Sequence, residues 1–426
     1  MNTPLTPLRR KLLLLAAVSC LPVQGAEFAF DLLPEVENQQ LGANFAAAGD
    51  VDGDGTADVA IADPGYKANG FLASGVVFIM SGADGSHLRT YLPESSASSQ
   101  YFGIALASLD ANGDGTTDLA VGSPGYTGST GYGTGTVRVF SGTDGALLSV
   151  AYGLAGFQFG GAITNAGDQN GDGCEDLYVG ASMAYGNRGA VFVQSGLDGT
   201  ILRTVQADIT FTTFATSLAT VGDIDGDGKA DVAVGAPGYR VSSNYLGRVL
   251  LIRSSDGVTA TQLVGTGTGP RFGYTLASVP DANGDGIGDL MAGTYSGGVA
   301  LLLSGADLTT IRDLSVTGLP NFQAVNVGGA LDFDDDGLED YLIGSPALNL
   351  ATVLFTPRML TVASMMEFTT LSTSSVKPSP SVSEGGGGTS SWITFQKWPM
   401  PRPPVCVSVS ELSPKAKPKP FSGFMP

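Results

Sequence analysis

Six acidic loops recur along this chain at intervals of 51–60 residues, and they restrict its fold more than any other feature. They run Asp50–Asp58, Asp110–Asp118, Asp168–Asp176, Asp223–Asp231, Asp281–Asp289 and Asp332–Asp340. In each, Asp or Asn stands at positions 1, 3, 5 and 9, with Gly at position 6. A row of hard oxygen donors around a sharp glycine turn suits Ca²⁺. The candidate side-chain ligands are Asp50, Asp52, Asp54 and Asp58; Asp110, Asn112, Asp114 and Asp118; Asp168, Asn170, Asp172 and Asp176; Asp223, Asp225, Asp227 and Asp231; Asp281, Asn283, Asp285 and Asp289; and Asp332, Asp334, Asp336 and Asp340. That set predicts up to six bound Ca²⁺. Self-similarity at this period also predicts an array of equivalent structural units.

The loops account for most of the acidity. Residues 27–357 carry 11 Lys/Arg against 37 Asp/Glu, a net of −26, within a chain whose formal charge is −19. So acidic a body lacks the cationic footprint that nucleic-acid binding needs. Charged residues make up 14% of the chain and there are 61 Gly, a balance that favours many tight turns over long solvated helices.

An EF-hand also opens with such a loop, but it needs a bidentate Glu at position 12 and a helix on each side. Position 12 here is Ile61, Val121, Val179, Val234, Ala292 and Ile343. The ligand set closes at position 9 and a strand-like aliphatic run begins at once, which excludes that reading. Aligned on the loops, each repeat shows an apolar segment upstream, the aliphatic strand, a polar Gly-rich loop, a third strand, an Asp-Gly turn such as Asp84-Gly85 or Asp144-Gly145, and a fourth strand. Asp-Gly between strand-like runs signals a hairpin. The expected fold is therefore an all-β β-propeller of four-stranded antiparallel blades, with repeats at about 41–95, 101–152, 157–207, 213–264, 271–317 and 322–356. Six blades can close a ring. A seventh can form if residues 27–40 pair with part of 358–376.

This combination resembles the FG-GAP repeat family, known from the β-propeller of integrin α subunits. The resemblance covers roughly residues 41–356. It rests on the six loops in register, on Phe102-Gly103, Phe159-Gly160 and Phe272-Gly273 upstream, and on Gly122-Ser123-Pro124, Gly235-Ala236-Pro237 and Gly344-Ser345-Pro346 downstream. The motif is degraded at Asn44-Phe45-Ala46, Phe214-Ala215 and Phe322-Gln323, and the fifth repeat has Gly293-Thr294-Tyr295 for the proline turn. The resemblance implies a further main-chain carbonyl ligand at position 7: Thr56, Thr116, Cys174, Lys229, Ile287 and Leu338. It also implies that the metal loops occupy one face of the disk and the loops between second and third strands the other.

Those opposite loops, Pro64–Gly75, Pro124–Gly135 and Pro237–Gly247, are rich in Gly and Tyr, a mix suited to protein or glycan recognition. Phe71, Tyr132 and Tyr245, in mid-loop, are the candidate ligand-binding residues, whereas the Pro-Gly-Tyr tyrosines are expected to pack. The chain is read as a non-catalytic binding or adhesion module with mainly structural Ca²⁺. The alternatives are a hydrolase or lyase using carboxylates in the central channel, or a part of a surface assembly. No Gly-x-Ser-x-Gly elbow is present, and the single histidine, His87, is expected at the surface.

Arg9, Arg10 and Lys11 precede the short apolar run Leu12–Val18, which is the pattern of a signal peptide over residues 1–26 and too short to span a bilayer. Ala17-Val18-Ser19-Cys20 offers the alternative of a lipid anchor at Cys20. Either route predicts a secreted protein, outside a cell or in a bacterial periplasm, or one held at the surface by lipid. Residues 358–426 lose both the repeat and Asp, and are rich in Pro, Gly and Ser with a basic balance. They are expected to be a disordered tail or the product of a reading-frame error.

Overall fold

Five of the acidic loops lead directly into strands that are buried from end to end: Asp58–Asp63, Asp118–Ser123, Asp176–Ala181, Val232–Ala236 and Asp289–Thr294. Runs of Val, Ala, Leu and Ile with no polar alternation belong in strands covered on both faces. The computed structural model of the protein provides that cover with stacked sheets. It describes residues 40–67, 71–94, 97–129, 131–210, 212–267, 271–315, 326–331, 340–345, 350–354 and 406–409.

The described residues form six four-stranded antiparallel sheets, each pairing its strands in chain order. Blade 1 comprises Asn44–Gly49, Asp58–Asp63, Val76–Met80 and His87–Tyr91. Blade 2 comprises Ala105–Leu109, Asp118–Ser123, Thr136–Phe140 and Leu147–Tyr152. Blade 3 comprises Ala162–Gly167, Asp176–Ala181, Ala190–Gln194 and Ile201–Gln206. Blade 4 comprises Ser217–Thr220, Val232–Ala236, Arg248–Ile252 and Thr259–Val264. Blade 5 comprises Phe272–Val279, Asp289–Thr294, Ala300–Leu303 and Thr310–Asp313. Blade 6 comprises Asn326–Leu331, Asp340–Ser345, Leu350–Leu354 and Cys406–Val409. The protein is an all-β propeller of such blades, as the repeat predicts. Its sixth blade takes its fourth strand from inside the segment that composition marks as an irregular tail. Cys406-Val407-Ser408-Val409 alternates apolar with small polar residues, the period a strand requires. Residues 1–39, with the expected signal peptide and Cys20, lie outside the described residues, as does the rest of the tail.

The core is a series of layers between successive blades. Ile79, Phe102, Val121 and Phe140 join blades 1 and 2, while Leu109, Val139, Phe159 and Phe192 join blades 2 and 3. Tyr178, Phe214, Val234 and Leu250 join blades 3 and 4, and Leu251, Phe272, Leu290 and Leu303 join blades 4 and 5. Phe102, Phe159, Phe214 and Phe272, the aromatic half of each Phe-Gly, are the wedges in these layers, all at most 2% exposed. Each wedge passes close to the last glycine before the preceding blade's third strand. A Cβ on Gly75, Gly135, Gly189 or Gly247 would come within 2.2–2.3 Å of that phenylalanine's backbone. No larger residue fits there.

The register corrects one detail of the first repeat. Gly42, at φ +80°, donates its N–H to the Ala62 carbonyl as Gly103 donates to Gly122 and Gly160 to Gly180. Leu41-Gly42 therefore holds the Phe-Gly position, and Phe45 sits within the first strand. Phe45 is 52% exposed, whereas Ile163, Leu218 and Leu276 at its register in blades 3–5 are buried against the preceding blade. The Phe322-Gln323 pair lies outside the described residues.

Candidate functional site

The first Asp of each loop is fixed by the turn it creates. Asp50 accepts N–H bonds from Gly53 (2.8 Å), Asp54 (3.0 Å) and Gly55 (2.8 Å). Asp168, Asp223 and Asp281 repeat the same three contacts, and Asp110 accepts from Asp114 and Gly115. These N–H groups hold the Asp168, Asp223 and Asp281 carboxyls below the usual carboxylate range. The side chains at positions 3 and 5 then cap N–H groups further along the turn. Asp52 accepts from Asp54, and Asp54 from Thr56, so all point back into one hollow.

The Asp at position 9 has a second task. Asp58, Asp118, Asp176, Asp231 and Asp289 are at most 1% exposed. One oxygen of each accepts the N–H of position 2: Val51, Ala111, Gln169, Ile224 and Ala282. The other accepts an N–H from the turn between third and fourth strands, at Gly82, Gly142, Gly196, Ser254 and Gly305. Burial pushes these five carboxyls up, against the pull of the N–H donors. Position 9 thus ties the acidic loop to a hairpin 16–24 residues further along the chain.

Among the described residues, two of the loops gather three carboxylates at cation-binding distance. Oxygens of Asp50, Asp52 and Asp58 lie within 4.8 Å of one another, as do those of Asp223, Asp225 and Asp227. A Ca²⁺ with ligands at about 2.3–2.6 Å spans such a hollow, and its charge offsets their mutual repulsion. In the loops with Asn at position 3, the amide donates to the neighbouring carboxylate, as from Asn112 to Asp114, Asn170 to Asp172 and Asn283 to Asp285, each at 2.9 Å. Those three hollows carry one negative charge fewer at the position. The chemistry of the donor sets fits Ca²⁺, with the side chains at 1, 3, 5 and 9 available to hold it. Of the sixth loop, Asp332, Asp334, Asp336 and Leu338 lie outside the described residues.

The opposite face is built from the loops joining second to third strands and each blade to the next. These two loop sets are hydrogen-bonded together: Ser99 to Leu72, Tyr101 to Ala73, Gly156 to Tyr132 and Arg271 to Tyr245. Among the described residues the exposed aromatics are Phe45, Phe71, Tyr101, Tyr132, Tyr152, Tyr185, Tyr245 and Tyr295. All but Phe45 lie on this face. Tyr132 is the most open at 71%, with Phe71 and Tyr245 at 38%. The Pro-Gly-Tyr tyrosines are half-buried: Tyr66 packs on Phe78, Tyr126 on Tyr152, and Tyr239 beneath the Arg248 guanidinium. His87 is exposed and hydrogen-bonds Thr90.

Residues 102–140 and 214–252 match the FG-GAP repeat family. These two segments are FG-GAP repeats, and the chain is similar to integrin alpha chains. The chain is 37% identical to integrin alpha-4 of Xenopus laevis over 149 residues, 32% of this chain and 14% of that protein. It is 39% identical to integrin alpha-2 of Bos taurus over 156 residues, 33% of this chain and 13% of the relative. With integrin alpha-5 of Xenopus laevis it shares 30% identity over 228 residues, 49% of this chain and 21% of that one. The matched region thus spans about a fifth or less of these relatives. Among solved structures, BBS1N in complex with ARL6DN aligns at TM-score 0.49 and 10% identity, covering 75% of this chain and 80% of that one. Among the described residues, no helix is long and apolar enough to cross a membrane.

Sequence reasoning missed the hairpin partner of position 9. Its signal was legible in Ser81-Gly82, Ser141-Gly142, Ser195-Gly196 and Ser304-Gly305, each two residues before the turn. A Cβ on Gly82 would lie 2.0 Å from the Ala57 carbonyl oxygen, so blade 1 needs glycine where its loop and hairpin touch, whereas blade 4 makes the same contact with Ser254. Also missed were Arg240, which its own hairpin sets against Tyr245, and Arg271, which lies against both Tyr245 and Tyr295 once blades 4 and 5 stack.

Proposed function

We propose that this protein is a non-catalytic binding module that engages a protein or glycan ligand outside the cell through its aromatic loop face. Ca²⁺ on the opposite face is structural. The observation that carries this reading is the segregation of exposed aromatics to one face, while the acidic loops gather on the other. Tyr and Phe supply large, rigid contact area at low entropic cost, and the glycine-rich loops let it adapt. The acidic hollows lie at the roots of the second strands, where a bound cation joins loop to blade without reaching the aromatic face.

Thermal melting with and without EGTA tests the metal half. Ca²⁺ at 100 times its dissociation constant stabilises by about 2.7 kcal/mol per site, so a clear rise in melting temperature is expected. An unchanged midpoint at millimolar Ca²⁺ sinks the claim. The binding half is tested by screening immobilised glycans and surface proteins, then replacing Tyr132 and Tyr245 with Ala. Each substitution should weaken a captured ligand, and a ligand insensitive to both contradicts the assignment of the face.

A further inference from the structure

Arginine and tyrosine alternate across the aromatic face where blades 4 and 5 meet. Within the loop that joins the second and third strands of blade 4, a short hairpin pairs Arg240–Val241 with Asn244–Tyr245, setting Arg240 opposite Tyr245. That register lays the Arg240 guanidinium 4.8 Å from the Tyr245 ring centroid. The segment linking the two blades closes on the same ring. The Arg271 N–H donates to the Tyr245 carbonyl (3.2 Å), and its guanidinium lies 5.2 Å from the Tyr245 centroid and 5.3 Å from that of Tyr295. Tyr295 packs in turn on Tyr274 at 5.0 Å. Arg240, Tyr245, Arg271 and Tyr295 are all exposed. Among the described residues, neither Arg240 nor Arg271 meets a carboxylate, whereas the buried Arg248 of blade 4 is paired with Asp208. In a chain of net charge −19, this is a local reversal of sign.

Beside the ladder lies a cleft of about 200 Å³ lined by Val264, Phe272, Thr294, Val299 and Leu301. It is smaller than pockets that enclose whole small molecules, roughly 300–1,000 Å³, and suits one bulky apolar side chain.

We propose that ladder and cleft together dock an acidic segment of a partner polypeptide, with carboxylates on Arg240 and Arg271 and an apolar side chain in the cleft. The proposal rests on the binding-face reading above and specifies its ligand. A guanidinium stacked on a ring keeps its in-plane N–H groups free for bidentate carboxylate binding, with little rotamer freedom left to lose. Both arginines lean on one ring, so their separation cannot exceed their two distances to it. Carboxylates on residues i and i+2 of an extended chain, ~7 Å apart, fall within that span. A polyuronate would supply the carboxylates and nothing apolar for the cleft, which favours the polypeptide.

The test is to pan a random nonapeptide display library on the full chain in Ca²⁺, in parallel on wild type and on the Arg240→Ala/Arg271→Ala double variant. Both substituted residues are exposed, and equal melting temperatures confirm that the variant is folded. On wild type, peptides with Asp or Glu flanking an aliphatic or aromatic residue should be enriched. Their affinity should fall on the variant by roughly tenfold or more, given charge-assisted bonds of this kind, and should weaken with salt. Enrichment without acidic excess, equal affinity for the variant, or no enrichment overturns the proposal. Polygalacturonate bound in an arginine-dependent manner without acidic-peptide enrichment overturns it too, by assigning the ladder to a glycan. Non-acidic peptides lost on Tyr132→Ala but kept on the arginine variant would leave the binding face standing while this inference falls.

Discussion

Replacing Asp118 with Asn separates the two tasks of the position-9 aspartate. Its carboxylate is fully buried and accepts N–H bonds from Ala111 (3.0 Å) and Gly142 (2.9 Å). Asn keeps one acceptor and turns an NH₂ towards the other donor, orphaning one buried N–H. That costs about 1.5–3 kcal/mol, and Asp118→Ala, which removes both acceptors, roughly twice as much. Relief of the burial of the charge, and then of its repulsion with Asp114 and Asp110, opposes this and places Asp118→Asn at the lower end of that range. At roughly 2–4 °C per kcal/mol, the melting temperature should fall by about 5 °C for Asp118→Asn and about 10 °C for Asp118→Ala. The assay is thermal unfolding followed by circular dichroism, in Ca²⁺ and again in EGTA. Asp52→Asn is the comparison, because the Asp52 carboxylate accepts a backbone N–H from within its own loop. That variant should lose stability in Ca²⁺ alone, while the Asp118 variants should lose it in both buffers. If Asp118→Asn melts with wild type in EGTA, position 9 is a metal ligand only and the hairpin tie is not holding the blade together.

Ala215 occupies the glycine half of a Phe-Gly pair at φ +64°, so Ala215→Gly should raise stability by about 1 kcal/mol, measurable by urea unfolding. Gln194 is fully buried and, among the described residues, neither end of its amide has a partner, whereas Phe140, Ile252 and Leu303 stand at its register in other blades. Gln194→Met should therefore stabilise by about 1–3 kcal/mol, and a loss in the same unfolding assay would show that the amide is satisfied. Burial raises the Asp63 carboxyl above its ordinary value despite N–H bonds from Gln40 and its neighbours. The folded state then binds this proton more tightly than the unfolded one, so its contribution is full below pH 3.8 and is lost as pH rises through the raised value. Unfolding at pH 3–6 without Ca²⁺ should show wild type gaining on Asp63→Asn upon acidification, and a gap independent of pH would refute it.

Most of the fold was legible because its signals are short-range. Asp at 1, 3, 5 and 9 and Gly at 6 shape a loop within nine residues, and the aliphatic run after it marks the second strand. The first Phe-Gly was misplaced onto Phe45 because an aromatic is the louder signal, whereas Leu41-Gly42 meets the geometric need through glycine alone. The fourth strand of blade 6 escaped notice because 51 residues separate Leu354 from Cys406, and no local pattern specifies such a pairing.

Short-range pattern in the chain was enough for the repeat, its antiparallel blades and the turn chemistry of the acidic loops. Tertiary structure decided what the residues of those loops touch beyond each hollow. Strand pairing within blade 2 brings Asp118 to the Gly142 hairpin, while stacking of blades seats Phe102 against Gly75 and sets Arg271, beside Tyr295, against Tyr245. Loop chemistry depends on neighbours a few residues apart, which spacing reveals. The aromatic face depends on loops from different blades meeting at one interface, and that is fixed by how apolar layers pack between sheets.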